Sequence, residues 1–254
     1  MDLGLSGGVA IVTGGAAGIG RATTNALAEE GVSVAILDRA GDVGASVAEE
    51  LVKRGRPCIS VVCDIGDEES VKEAIRRVVS EWGAIDYLVL CAGVSTVYGK
   101  NVEQIEVGQW DALMATNVRG QWLCVKHTLP HLRKSTRASV SIVASDSAFR
   151  VSPLHVPYSA SKGAVVTLTK ALSVDLRADS IRVNCVCPSI VDTAQSRSDM
   201  GLLEEGFTGV DFPVMRPEDV ARYLVILASP ATYSINGHAL VADFGYAGQS
   251  LFPC

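Results

Sequence analysis

Short runs of β-branched and apolar residues alternate with longer amphipathic stretches along this chain, and that alternation is its strongest constraint. Val9–Val12, Ser33–Leu37, Ile59–Val62, Asp86–Cys91, Ser139–Val143, Arg182–Cys187 and Ala239–Val241 read as seven strands. Most are apolar on both faces, as strands covered from both sides must be. Helical patterning fills the intervals near 18–30, 42–54, 67–82, 109–134, 157–178 and 217–229. Strands and helices in this order predict βαβ crossovers, and so an α/β fold: a doubly wound sheet of seven parallel strands with helices on both faces. No repeat, low-complexity run or linker interrupts the pattern, so residues 1–254 are expected to form a single domain. The least patterned stretch, about Asp192 to Phe212, is either a lid over a ligand or an ordinary surface loop.

Composition narrows the function classes. With 48% hydrophobic and 20% charged residues the chain is too apolar for disorder, and its 24 glycines lack the period of a collagen. Twenty-eight acidic against 22 basic side chains give a net charge of −6 with no basic cluster, so neither nucleic acid nor a membrane surface is an expected partner. The sequence lacks a signal-peptide pattern and a membrane-spanning apolar run, which points to the cytoplasm. Seven cysteines cannot all pair within one chain, and Cys58, Cys63, Cys91, Cys124, Cys185 and Cys187 sit in apolar contexts suited to buried free thiols. Cys185 and Cys187, two apart on a strand, are expected to point to opposite faces and so not to share a metal. His127 and His131 have the spacing of a helical zinc pair, but Pro130 lies between them and no HExxH glutamate accompanies them, so no metal is expected.

The first strand runs into Thr13-Gly14-Gly15-Ala16-Ala17-Gly18-Ile19-Gly20 and then a helix beginning near Arg21. Glycines there let the backbone turn tightly and approach a pyrophosphate, whose charge is met by the unpaired N–H groups of a helix N-terminus. Asp38 ends the second strand eighteen residues beyond Gly20, where a dinucleotide fold places the acid that binds a ribose 2′-hydroxyl. Its charge would repel a 2′-phosphate, which favours NAD over NADP; Arg39, next in sequence, could soften that preference. Asp64, after the third strand and followed by Ile65, is placed either to meet an adenine amino group or to cap the helix that begins near Glu68.

A second cluster begins where the fifth strand ends, at Ala144-Ser145-Asp146-Ser147, and continues in Tyr158-Ser159-Ala160-Ser161-Lys162. Four residues apart on a helix, Tyr158 and Lys162 emerge on one face. A phenol titrates near 10, and an adjacent ammonium favours the phenolate, bringing the tyrosine toward the range of a working acid/base. Ser145, with Ser147 as the alternative, stands at the carboxyl end of its strand, where open α/β sheets bind ligands. Singly, each residue has an ordinary explanation: a core tyrosine, a solvated lysine, a turn-forming serine.

Together these elements resemble the short-chain dehydrogenase/reductase family over essentially the whole chain. The resemblance rests on Thr13-Gly14-x-x-x-Gly18-Ile19-Gly20, Asp38, Asp64, Ala92-Gly93, Asn117 in Ala115-Thr116-Asn117-Val118, Ser145, Tyr158-x-x-x-Lys162 and Arg182-Val183-Asn184 leading to Pro188. It implies a Rossmann-type fold and a catalytic tetrad of Asn117, Ser145, Tyr158 and Lys162. In that tetrad Tyr158 is the acid/base, Ser145 orients the reacting oxygen, and Lys162 lowers the tyrosine pKa and binds the nicotinamide ribose. Asn117 holds a water that links Lys162 to solvent, or simply fills an irregularity in its helix. The resemblance implies cofactor contacts at Gly14, Ala17, Gly18, Ile19, Gly20, Asp38, Arg39, Asp64, Ile65, Cys91, Ala92, Gly93, Tyr158, Lys162 and Pro188, with Ile190 and Thr193 at the carboxamide. It also suggests a homotetramer packed through the helices near 109–134 and 157–178, with Ala160, Ala164 and Ala171 allowing close approach. Three positions depart from the family pattern: Cys91 replaces an asparagine, Ser189 follows Pro188 in place of glycine, and Phe244 stands within Asp243-Phe244-Gly245 where two glycines are usual.

The expected activity is an NAD-dependent hydride transfer between the nicotinamide and a secondary alcohol or ketone. The stretches Val94 to Val97, Ala148 to Leu154 and 192–212 are expected to line the substrate; their Val94, Val97, Phe149, Val151, Leu154, Met200, Leu203 and Phe207 suggest a hydrophobic or cyclic one, while Arg150 and Arg197 could each meet a carboxylate. A non-catalytic NAD-binding sensor or scaffold of the same fold is the alternative, although Tyr158 and Lys162 are both present. A lyase or dehalogenase on this fold is disfavoured by the intact Gly14, Gly18, Gly20 and Lys162.

Overall fold

The computed structural model describes residues 2–203 and 206–248. Its centre is a seven-stranded parallel sheet in the order β3-β2-β1-β4-β5-β6-β7. The strands are β1 (Val9–Thr13), β2 (Ser33–Asp38), β3 (Cys58–Val62), β4 (Tyr87–Leu90), β5 (Ser139–Val143), β6 (Arg182–Pro188) and β7 (Ala239–Ala242). The helices are α1 (Gly18–Glu29), α2 (Gly41–Lys53), α3 (Glu68–Trp82), α4 (Val107–Met114), α5 (Gln121–Leu132), α6 (Val156–Asp175), α7 (Ala194–Asp199) and α8 (Pro217–Ala228).

Each face of the sheet has its own core, divided by the alternation of side chains along the strands. Val9 and Ile11 of β1 and Leu88 and Leu90 of β4 join residues of α3, α5 and α6. Ala10 and Val12 of β1, with Tyr87 and Val89 of β4, join residues of α1, α2 and α8 on the other face. From β1 the chain winds outward to β2 and β3, then crosses back to β4 on the other side of β1. The connections after β1 and β4 therefore diverge, opening a crevice at the carboxyl ends of the strands where such folds bind ligands.

The structure corrects three expectations. The stretch near 109–134 is not one helix: α4 and α5 are joined through a π-helical segment, Ala115–Gly120. Gly120 lies so close to β3's trailing loop that a Cβ there would meet the Ile65 carbonyl oxygen at 2.8 Å. Cys185 and Cys187 share one face of β6, with their sulfurs 4.0 Å apart, because residues two apart on a strand return to the same side. The cap of α3 is Asp67, whose side chain accepts from Glu69 N–H, so Asp64 does not serve that purpose.

The six described cysteines, Cys58, Cys63, Cys91, Cys124, Cys185 and Cys187, are free. Among the described residues no group of three or more potential metal ligands comes together, and no helix is long and apolar enough to cross a membrane. His127 bonds Glu68 through Nε2 at 2.8 Å.

Candidate active site

The crevice is a cleft of about 760 Å³, within the size range of small-molecule sites. Gly14, Ala17, Gly18, Ile19 and Gly20 border it at one end with Asp38, Arg39, Asp64 and Ile65, and Cys91, Ala92 and Gly93 form its middle. Ser145, Tyr158, Lys162, Pro188, Ile190 and Thr193 border the other end. Asn117 stands behind this wall, fully buried.

Backbone geometry explains the turn after β1. Gly14 adopts φ +66°, and a Cβ there would sit 3.0 Å from the Ala92 backbone, so only glycine lets the loops after β1 and β4 approach this closely. Asp38 bonds back into the turn, accepting from Ala16 N–H and Ala40 N–H at 3.0 Å each. Arg39 leans toward Asp64, with 4.0 Å between guanidinium and carboxylate, both partly exposed. The Cys91 departure leaves the sheet bonding intact: Thr13 accepts from Cys91 N–H through its carbonyl and from Ala92 N–H through its hydroxyl, each at 3.2 Å. Gln121 Nε2 donates to the Ala92 carbonyl at 2.7 Å. Close glycine packing, a strand-end carboxylate and helix α1 opening from the turn together suit a dinucleotide.

At the other end, α6 brings Tyr158 and Lys162 to one face. Lys162 is buried; its ammonium donates to the Val143 carbonyl at 3.0 Å and lies 5.5 Å from the centre of the Tyr158 ring. Asn117, in the π-helical segment, accepts from Val94 N–H at 2.8 Å and donates to the Val94 carbonyl at 2.9 Å and to Ser161 Oγ at 3.0 Å. Its side chain thus ties α5's entry to the loop after β4 and to α6. Ser145 is buried, accepts from Ser147 N–H at 3.1 Å and donates to Asp146 at 3.2 Å.

The expected lowering of Tyr158 by Lys162 is not what the protein alone displays. Burial pushes the phenol up to about 12, opposed by its hydrogen bond with Ser145 and reinforced by the charges of Asp146 and Asp199. Burial likewise pulls Lys162 down to about 8. Desolvation disfavours the charged form of each, and the ammonium is spent on a backbone carbonyl.

The substrate end is more polar than the sequence suggests. Of the eight apolar candidates, Val94, Val151 and Met200 line the cleft. Val97 is buried, Phe149 and Leu154 face outward, Leu203 borders a separate depression beside α1, and Phe207 packs on Phe212. Ser189 lines the cleft, whereas Phe244 is exposed in a left-handed conformation, φ +58°, and does not. The segment after Asp192 borders the cleft through the short helix α7, capped by Thr193, and through Phe212 and Pro213.

Ser95, Gln195 and Asp199 line the cleft from the stretches 94–97 and 192–212 expected to border it, whereas sequence reasoning missed Tyr98, His155 and Tyr246, which line it too. The His155 ring stacks on Tyr158 with centroids 4.5 Å apart and planes within 4°, and Tyr98 meets His155 edge-on at 4.9 Å. His155 Nε2 bonds Ser95 Oγ at 3.1 Å. Burial keeps the imidazole below its ordinary range, hence neutral at pH 7. Such a stack fixes the plane of the Tyr158 ring. Aromatic pairs contribute about 0.5–1.5 kcal/mol, so His155→Ala should lower kcat about 3–10-fold with little change in KM. His155→Phe should restore most of the loss, and steady-state kinetics of the two variants checks this.

Residues 14–247 match the family model described as enoyl-(acyl carrier protein) reductase. The chain belongs to the short-chain dehydrogenase/reductase family. It is similar to a (+)-cis,trans-nepetalactol synthase of Nepeta racemosa, 36% identical over 95% of this chain and 91% of that protein. A cis-4-hydroxycyclohexanecarboxylate dehydrogenase of Sinomonas cyclohexanicum is 34% identical over 94% of this chain and 96% of its own. Among solved structures, a 3-ketoacyl-(acyl-carrier-protein) reductase from Brucella melitensis complexed with NADH superposes with a TM-score of 0.87. It is 32% identical over 96% of this chain and 99% of that one.

Proposed function

We propose that this protein is an NAD-dependent oxidoreductase that interconverts a secondary alcohol, hydrophobic or cyclic, with its ketone, in one catalytic domain spanning residues 1–254. One observation carries the reading: Ser145, Tyr158 and Lys162 converge at one end of the same cleft whose other end is the Gly14–Gly20 turn and Asp38. The relative from Sinomonas cyclohexanicum is named for a cyclic alcohol, and the Brucella reductase was solved with NADH.

Bound NAD would accept the hydride, with its electron pair, from the alcohol carbon and return it in the reverse direction. The residues of the chain divide the remaining work. Tyr158, as phenolate, takes the hydroxyl proton of the alcohol, and as phenol returns it to the ketone. Ser145 hydrogen-bonds the same oxygen. Lys162 holds the nicotinamide ribose and carries protons to and from Tyr158, with a water held by Asn117 linking it to solvent. Gly14, Ala17, Gly18, Ile19 and Gly20 would hold the pyrophosphate, while Asp64, Ile65, Cys91, Ala92 and Gly93 would hold the adenosine. Pro188, Ile190 and Thr193 would hold the nicotinamide. The same reading includes a homotetramer in the cytoplasm, with Trp110, Trp122 and Val174 exposed on α4, α5 and α6 for its interfaces.

Asp38 selects NAD. Its carboxylate would accept a ribose 2′-hydroxyl and repel a 2′-phosphate, and Arg39 is already drawn toward Asp64. Fluorescence titration through Trp82, Trp110 and Trp122 should give NADH binding at least tenfold tighter than NADPH. Asp38→Asn should erase most of that difference while keeping an acceptor for Ala16 N–H. Tighter NADPH binding by the unaltered protein would overturn the assignment.

A further inference from the structure

Arg150 stands out among the groups bordering the reacting end of the cleft. Its backbone N–H donates to the Asp146 carbonyl at 2.9 Å, so the short turn that begins with Ser145 also positions Arg150. Its side chain lines the same cleft as Ser145 and Tyr158. Yet its guanidinium makes no hydrogen bond or ion pair among the described residues, and its Nη1 is buried without an acceptor. A buried donor left unpaired is costly, more so when charged, and native proteins seldom tolerate one without a use for it.

The nearby groups do not satisfy it. Asp146 is near enough to feel the Arg150 charge but makes no hydrogen bond or ion pair with it; it accepts from Ser145 at 3.2 Å, and burial holds its pKa up on balance, weakening it as a counter-ion. Arg197, the other candidate for an anionic substrate, is spent: its Nε and Nη2 hold Asp192 at 2.5 and 2.9 Å. Arg39 lies at the far, nucleotide end beside Asp64. Among the described residues lining the cleft, that leaves Arg150 as the cation at the substrate end besides Lys162, which is bound to Val143.

We propose that Arg150 anchors a carboxylate carried by the substrate, so that the alcohol taken by this cleft is a hydroxy acid rather than a neutral alcohol. A guanidinium matches a carboxylate with two parallel N–H···O bonds, a recognition that a neutral ester cannot reproduce. Because Ser145 and Arg150 belong to one short turn, the hydroxyl and the carboxylate are held in fixed relation, which favours a rigid, ring-bearing acid. The inference rests on the oxidoreductase reading for the hydroxyl end, but the anion site can be tested apart from turnover.

Cyclohexanecarboxylate, benzoate and adipate, which carry no alcohol, are titrated calorimetrically into the NADH-saturated protein and into Arg150→Gln and Arg150→Lys. At least one should bind, at least tenfold more weakly to Arg150→Gln, with Arg150→Lys between and NADH affinity equal in all three. In parallel, 4-hydroxycyclohexanecarboxylate and its methyl ester are compared as substrates with NAD; the acid should have the higher kcat/KM, by about thirtyfold, and Arg150→Gln should bring the ratio near one. Binding of no carboxylate, or equal binding by Arg150→Gln, overturns the proposal, as does an ester turned over as well as the acid. Carboxylate binding lost in Arg150→Gln without turnover of any alcohol would instead sink the oxidoreductase reading and leave the anion site standing.

Discussion

Tyr158→Phe should abolish turnover, by a factor of about 10²–10⁴ as for the loss of a general acid/base, while NADH binding stays within twofold. The substitution removes one oxygen and keeps the ring, so the stack on His155 at 4.5 Å survives and Lys162 keeps its bond to Val143. What disappears is the hydroxyl proposed to exchange a proton with the bound alcohol. The pH dependence has a defined sign. Alcohol oxidation needs the phenolate, and burial holds Tyr158 at about 12, so the oxidation rate of the unaltered enzyme should climb through the alkaline range. Ketone reduction needs the phenol and should stay flat to higher pH before it falls. Lys162, near 8, adds the lower inflection if protons pass through it. Steady-state rates in both directions from pH 6 to 10, beside single-turnover assays of Tyr158→Phe, check each statement. A variant that keeps a tenth of the activity would remove Tyr158 from the proton path.

The nucleotide end was readable because its requirements are local. A glycine that must turn at Gly14, a carboxylate at the end of β2 and a helix opening at Gly18 lie within 25 residues, and each residue type follows from backbone geometry or charge. The strands were readable for a similar reason, since a buried parallel strand needs an apolar residue at nearly every position. The π-helical segment was legible only as the irregularity that Asn117 was expected to fill, because one extra residue in a turn leaves the apolar period on either side nearly unchanged. Helix α7 escaped because six residues are too few to establish a period; only its Thr193–Ser196 capping box marks it.

The substrate end was readable as stretches of chain but not as contacts between them, and the reason is topological. Ser95 and His155 are 60 residues apart, and their hydrogen bond exists only once β4 and β5 lie side by side. One signal was available: His155 precedes Tyr158 by three residues, which places it beside the phenol at the start of α6. The cysteine pair on β6 shows the opposite failure. There the alternation rule sufficed, and applying it correctly places Cys185 and Cys187 on one face, in the core near Lys162.

Gly20→Ala should weaken NADH at least a hundredfold and lower Tm by several degrees, although it adds one methyl group to a helix. A Cβ at Gly20 would lie 2.0 Å from the Gly14 carbonyl oxygen and 3.1 Å from the Gly15 Cα, so the first turn of α1 or the loop after β1 must shift. Neither can yield freely. Gly14 N–H is tied to the Leu37 carbonyl at 2.8 Å, and the Gly14 backbone already packs as closely against Ala92 as a glycine permits. Overpacking of this kind costs about 1–3 kcal/mol, which for a chain of this size corresponds to a fall in Tm of roughly 3–10 °C. The loss in binding should exceed the loss in stability because the displaced atoms are those proposed to hold the pyrophosphate, while most of the core lies elsewhere in the sheet. Gly108→Ala, in α4 with nothing within 4 Å of the added carbon, provides the contrast and should leave both quantities nearly unchanged. Calorimetric Tm and NADH titration of the two variants would separate a position that needs glycine for close approach from one that merely contains it. If Gly20→Ala bound NADH normally, the turn would not be the element that holds the pyrophosphate, and the assignment of that end of the cleft would fall with it.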